Sequence, residues 1–237
     1  MHKVMTNEDF GSVDLFYNKY NDRVLRSGLI GSAQNRTHRA IEKLWSPKDM
    51  FSRVLEVGSG AGDHRQFVKH KYSIYYETDI RFSDGTFESE EFVKRENSGP
   101  NVIREIADVM QLQYVDGQFD RVIATCLLLH LAEPETALLE LKRVTNAEGG
   151  VITILIPCEP GFLLRLSRRV LTARKAKRLG FEGYELFNAR DHKNYISSLD
   201  KLVKHVFQED RVTVSRLPFH IPSWNFNLYF VYTIFRG

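Results

Sequence analysis

Three glycines at alternate positions, Gly58, Gly60 and Gly62, follow an apolar stretch, Val54 to Val57, that carries one acid, Glu56. Glycine has no Cβ, so a strand that empties into such a turn can bring backbone N–H groups against a ligand. Two common nucleotide signatures are missed. The dinucleotide fingerprint needs glycine or alanine at its sixth position, which here is Asp63. A Walker loop needs Gly-Lys and then Ser or Thr, and none follows. His64 is read as a helix-start residue, with a helical segment over Gln66 to His70.

The pattern acid-x-Gly-x-Gly-x-Gly resembles motif I of the class I S-adenosylmethionine-dependent methyltransferases. The resemblance implies that Glu56 orients the turn or the methionine amino group of the cofactor. Gly58, Ser59, Gly60 and Gly62 would wrap its methionine part and ribose. Asp79 ends a second β-type run, Ser73 to Asp79. An acid there can accept hydrogen bonds from both ribose hydroxyls, a logic that dinucleotide folds share, and it matches the family's acid after strand two. Asp108 resembles the acid that bonds the adenine amino group. Ile80, Val109 and Cys126 complete the cofactor positions that the resemblance implies. The plain alternative for each aspartate is a turn or helix-start residue.

The likeness is densest over DGQFDRVIATCLLLHLAEPETALLELKRVTNAEGGVITILIP and covers residues 50–157. His130 falls just after strand four, where cofactor and acceptor meet in this family. An imidazole titrates near neutral pH and can act as a general base; a structural histidine beside the cofactor is the alternative. Thr125-Cys126 and Pro157-Cys158 look like the dipeptides of RNA cytosine-C5 methyltransferases, but in reversed order. The Asn/Asp-Pro-Pro-Tyr motif of amino-methylating nucleic-acid enzymes is also missing after strand four. Both points argue against a nucleic-acid substrate.

These residues need a scaffold. The chain has 237 residues, 43% hydrophobic and 27% charged, which suits one globular domain with an insertion. A net charge of +3 is too mild to imply nucleic acid. Two cysteines, Cys126 and Cys158, without a Cys-x-x-Cys, give neither a zinc framework nor a disulfide framework. The first residues lack the apolar core of a signal peptide, and no run is long enough to span a bilayer. A cytoplasmic protein is the expectation.

Residues 1–47 read as an N-terminal helical lid. Tyr17, Tyr20 and Arg36 are its acceptor-facing residues if it closes over the site; an aromatic face packed on the core is the alternative. The main domain is expected over 48–237. Arg121 to Leu129 reads as strand four, Glu135 to Val144 as an amphipathic helix, and Val151 to Ile156 as a buried parallel strand. Residues 158–191 form a basic cap after strand five. Within it, 162–178 interleaves arginines and lysines with Phe162, Leu163, Leu164, Leu166, Val170 and Leu171. Such a helix can meet an anionic membrane surface or a phosphorylated substrate. Arg165 and Tyr184 are its acceptor-facing residues. Lys193 to Phe207 reads as the last helix, Arg211 to Leu217 as strand six, and Phe226 to Phe235 as strand seven.

The expected fold is a doubly wound α/β sheet of seven strands, mostly parallel, with strand seven antiparallel between strands five and six. The expected function is methyl transfer from S-adenosylmethionine, leaving S-adenosylhomocysteine, to an O or N atom, with C less favoured. The acceptor would be a small molecule or a sugar- or lipid-linked group, and no metal is required. Rival readings are a catalytically inactive protein that uses the same fold for binding or regulation and, disfavoured by Asp63, a dinucleotide oxidoreductase.

Overall fold

The computed structural model describes residues 24, 28–80, 101–179 and 184–237. Tyr17 and Tyr20 lie outside them, and so does the side chain of Tyr184. One sheet of seven strands runs through the molecule in the order β3-β2-β1-β4-β5-β7-β6. The strands are β1 Met50–Val57, β2 Lys71–Asp79, β3 Val102–Ile106, β4 Arg121–Thr125, β5 Val151–Pro157, β6 Arg211–Leu217 and β7 Tyr229–Phe235. The first five pair in parallel, and β7 runs antiparallel to both β5 and β6, as expected.

Burial explains the strand sequences. Every residue of β5 is buried, so its β-branched run packs on both faces. At the edge of the sheet, β6 alternates exposed and half-buried positions. One face carries Leu55, Val57, Val122, Ala124, Ile152 and Ile154. Two helices cover it. One is α2, Pro134–Val144, through Ala137, Leu138, Leu141 and Val144. The other is α6, Ile196–Val206, through Ile196, Leu199, Val203 and Val206. The opposite face carries Val54, Tyr75 and Ile123. Helix α1, Gly28–Ile41, lies on this side, and its Ile41 packs on Leu155 and Val231.

The structure corrects the sequence reading in two places near the glycine turn. No helix covers Gln66 to His70; a single 3-10 turn, Arg65–Phe67, precedes β2. The connection is pinned from below. His64 bonds to Glu42, and Arg65 bonds to Glu77 at 2.6 Å, so two successive side chains are tied to buried carboxylates. Strand β4 ends at Thr125 rather than Leu129, because Cys126 takes a left-handed φ of 54° and turns the chain. Leu128 and Leu129 owe their apolar character to the core they enter, not to a strand.

The basic cap holds a continuous helical stretch: α3, Phe162–Ser167, a wider π turn, Arg168–Thr172, and α4, Ala173–Arg178. Helix α5, Tyr184–Asp191, follows.

Candidate active site

The C-terminal ends of the parallel strands converge on the glycine turn. Gly58, Gly60 and Gly62 all have positive φ, at 64°, 55° and 77°. Two of them also leave no room for a side chain. A Cβ on Gly58 would stand 2.9 Å from Leu127 Cδ1, and one on Gly62 would stand 2.8 Å from Glu77 Oε1. Gly60 differs, because an added Cβ there would meet nothing within 4 Å. The turn thus presents its middle glycine to open space.

Asp79 faces that space from the end of β2. Its Oδ2 accepts the Gly60 N–H at 2.8 Å. Arg104, from β3, donates to the Gly60 carbonyl at 3.2 Å, and its Nε lies 3.0 Å from Glu77 Oε2. Turn, acid and neighbouring strand are one hydrogen-bonded assembly. Ser59 Oγ is buried there without a hydrogen-bond partner. An open glycine, a carboxylate beside it and an unsatisfied buried hydroxyl fit a ligand that carries hydroxyl or amino groups.

The remaining expected cofactor positions are distributed around this assembly. Glu56 is buried under the turn and accepts the Tyr75 hydroxyl at 2.7 Å. Burial pushes its carboxyl up to about 7, against the charge of His64 and the hydrogen bond from Tyr75, while the neighbouring Glu77 and Asp63 add to the rise. Asp108 is exposed and caps its own turn, its Oδ1 accepting the Met110 N–H at 2.9 Å. Ile80 is exposed at the end of β2, and Val109 is buried in the core. Burial pushes the Cys126 thiol up to about 12, so it is held as a neutral group. Arg36 and Arg165 are both exposed, on α1 and α3.

His130 follows the turn after β4, and its Nδ1 lies 2.9 Å from Asp191 Oδ2. Sequence reasoning missed this carboxylate and its neighbour His192, because they stand at the end of the cap and just after it, with no spacing relation to His130. Backbone and amide bonds staple the segment in place. Lys193 N–H and Asn194 N–H both donate to Leu129 O, and Asn194 Nδ2 donates to Leu128 O and Leu131 O. His192 packs edge-on against His130 with ring centroids 5.1 Å apart. In turn His192 Nδ1 bonds Glu159 Oε2 at 2.5 Å, and Glu159 pairs with Arg168 at 2.6 Å. Burial alone would raise Glu159, but the bond from His192 and the charge of Arg168 outweigh it and hold the carboxyl at about 2. Donor atoms of His130, Asp191 and His192 lie within 4.8 Å of one another. The arrangement gathers two imidazoles and two carboxylates at the strand ends.

A second buried network supports the site from the α1 side. Arg121 of β4 donates to both Glu42 oxygens, at 2.6 and 3.1 Å, and all of its side chain is buried. His64 Nε2 lies 3.0 Å from the same carboxylate, and His64 Nδ1 lies 3.0 Å from His38 Nδ1. This network, and not a helix start alone, is the role of His64.

Residues 55–153 match the family described as methyltransferase domain. Among curated proteins, the sarcosine/dimethylglycine N-methyltransferase of Halorhodospira halochloris is 28% identical over 145 residues, which is 60% of this chain and 50% of that protein. The phosphatidylethanolamine N-methyltransferase of Cereibacter sphaeroides is 32% identical over 104 residues, 43% of this chain and 49% of that protein. The chain thus spans about half the length of the curated relatives it matches. The fold is similar to that of phosphoethanolamine N-methyltransferase 2 of Haemonchus contortus in complex with S-adenosyl-L-methionine, with a TM-score of 0.60 at 12% identity, over 98% of this chain and 59% of that one. It is also similar to a Thermotoga maritima S-adenosylmethionine-dependent methyltransferase described as a possible histamine N-methyltransferase. That TM-score is 0.59 at 18% identity, over 94% of this chain and 97% of that one. At these identities the two structures speak for the fold alone.

Proposed function

We propose that this chain is a class I S-adenosylmethionine-dependent methyltransferase and that it transfers a methyl group to an amine nitrogen of a small or lipid-linked acceptor. A hydroxyl oxygen or a sugar-linked acceptor is the second choice. The observation that carries the reading is the His130–Asp191 pair at 2.9 Å, on the strand-end edge that also holds the glycine turn. An amine reaches the site as an ammonium, which has no lone pair to attack with. A proton must leave first. His130, held 2.9 Å from the Asp191 carboxylate, is the imidazole placed to take that proton. The N-methyltransferase names of the similar proteins favour nitrogen over oxygen.

S-adenosylmethionine, when bound, supplies a sulfonium-activated methyl group. Asp79 and the amides around Gly60 would hold its hydroxyls beside the strand ends. Leu127, pressed on Gly58, couples the turn after β4 to the cofactor turn. Holding the acceptor in line near the methyl is the protein's largest task, and such positioning supplies on the order of 7–11 kcal/mol of a barrier.

Titration calorimetry with S-adenosylmethionine and S-adenosylhomocysteine tests the cofactor. Micromolar affinity for both is expected, followed by turnover with a primary or secondary amine in an acceptor screen. Binding without turnover of any amine or hydroxyl compound would favour the inactive, ligand-binding reading. Absence of binding would remove the methyl-transfer reading altogether.

A further inference from the structure

The basic stretch 162–178 does not hide its apolar side. Leu164, Thr172 and Ala176 are the buried residues that seat it on the domain. Phe162, Leu166, Val170 and Leu171 face solvent, Phe162 with 62% of its surface accessible. The same outward stripe carries Arg165, Arg169, Arg174, Lys177 and Arg178. No acid occurs from 160 to 181. A helix serving only as a solvated cover would keep its apolar residues inward.

A second exposed apolar group adjoins it from another part of the chain. The loop between β6 and β7 carries Phe219, Ile221 and Phe226, all exposed, and Phe226 is 53% accessible. The Phe162 N–H donates to Asn225 Oδ1 at 3.3 Å, and a Cβ on Gly161 would stand 2.5 Å from the Trp224 carbonyl. The start of α3 is therefore packed against this loop, and the two groups form one rim. That rim lies on the strand-end edge of the sheet, because Pro157 of β5 and Leu217 of β6 both pair with Tyr229. It is the edge that holds the glycine turn and His130.

We infer that this rim docks the protein on an anionic lipid bilayer. Aromatic and aliphatic side chains enter the boundary between head groups and acyl chains, while arginine and lysine reach back to lipid phosphates along their apolar stems. The unopposed positive charge matches an anionic leaflet and gives a neutral one no advantage. Exposed Phe, Leu, Val and Ile in the same stripe favour lipid over nucleic acid, whose phosphates ask only for charge. Docked in this way, the strand-end edge faces the bilayer, and a lipid-linked acceptor can enter without crossing bulk water. The inference rests on the surface and not on the methyl-transfer reading, so each can fail alone.

Co-sedimentation of the full chain with phosphatidylcholine vesicles, with and without phosphatidylglycerol, tests it. Binding is expected only with the anionic lipid and should weaken as salt rises. The variant Arg169→Ala/Arg174→Ala should lower partitioning about thirtyfold, since each basic residue near such a surface contributes about 1 kcal/mol. Phe162→Ser/Phe226→Ser should lower it at least about tenfold at unchanged charge. All of these residues are exposed, so both variants should keep the wild-type Tm and cofactor affinity. Equal binding to neutral and anionic vesicles, or no effect of the arginine pair, would overturn the inference. So would tight binding to duplex DNA with the same arginine dependence, or a dimer that Phe162→Ser dissolves, since either would give the rim another occupant.

Discussion

Asp79 Oδ2 accepts the backbone N–H of Gly60 at 2.8 Å, which joins the acid at the end of β2 to the middle of the glycine turn after β1. A ligand hydroxyl at Asp79 therefore meets a carboxylate already oriented by the turn. Asp79→Ala should weaken S-adenosylmethionine binding at least tenfold, about 1.4 kcal/mol, by calorimetry. Asp79→Asn, which keeps an acceptor oxygen for Gly60, should recover the Tm but not the affinity.

The glycines differ in what a methyl group would do. Gly60→Ala places a Cβ in open space, so its folding penalty is the left-handed backbone alone, about 1–2 kcal/mol. Its cofactor affinity should nevertheless fall at least tenfold, because the added carbon fills open space beside the N–H that bonds Asp79. Gly58→Ala carries the same backbone strain and drives its Cβ to 2.9 Å from Leu127. It should lose more stability than Gly60→Ala in urea titration.

Removing the proton acceptor should strike turnover and spare binding. His130→Asn should lower kcat about a hundredfold to ten-thousandfold with S-adenosylmethionine affinity unchanged. Asp191→Asn acts through orientation and should lower kcat less, with the KM for the acceptor nearly constant. Equal loss of kcat and cofactor affinity in both would mark the pair as structural.

The Glu42–Arg121 pair is fully buried, and the Glu42 carboxylate also holds His64. Glu42→Gln leaves an uncompensated cation in the interior and should destabilise the fold by about 3–5 kcal/mol. Glu42→Leu combined with Arg121→Met removes both charges and should recover part of that loss, the rest remaining because His64 loses its carboxylate. Equilibrium denaturation of the three proteins checks the pattern.

The pH dependence of stability follows from three buried groups. Burial, helped by nearby His64 for His38 and by nearby Arg121 for His70, holds both imidazoles at about 4, against an ordinary 6.5. The unfolded chain takes up those protons first, so their contribution, complete above pH 6.5, is lost as pH falls toward 4. Glu56 acts oppositely. Burial holds its proton up to about 7 against an ordinary 4.5, so its contribution fades as pH rises across that interval. Two histidines outweigh one carboxyl between the ordinary carboxyl and imidazole values. Stability should peak near pH 6.5 and fall on either side, more steeply toward acid, in urea midpoints. His70→Phe, packed between Phe51 and Tyr72, should remove much of the acid slope.

How much of this the sequence disclosed depended on whether a feature was local. The buried run of β5 and the 3- and 4-residue spacing of α2 are one-segment patterns, and both elements stand where they were read. The seven-stranded, mostly parallel sheet with β7 antiparallel between β5 and β6 was expected from the family resemblance, and the structure has it, with the glycine turn and Asp79 at adjacent strand ends. The helix expected over Gln66 to His70 failed because long-range bonds from His64 and Arg65 claim the connection. Asp191 and His192 were invisible for a similar reason. They are ordinary polar residues until Asn194 staples their segment to the turn that carries His130. The outward turn of Phe162 and Val170 was also hidden, since spacing shows that a helix has two faces but not which one the domain takes.

The Glu42–Arg121 pair spans 79 positions of sequence. During synthesis, Glu42 emerges long before the strand that will neutralise it, and β1 must also wait for β4 on its second side. Docking of the α1 arm is thus a non-local, slow event, placed late in assembly by the loop that must close first.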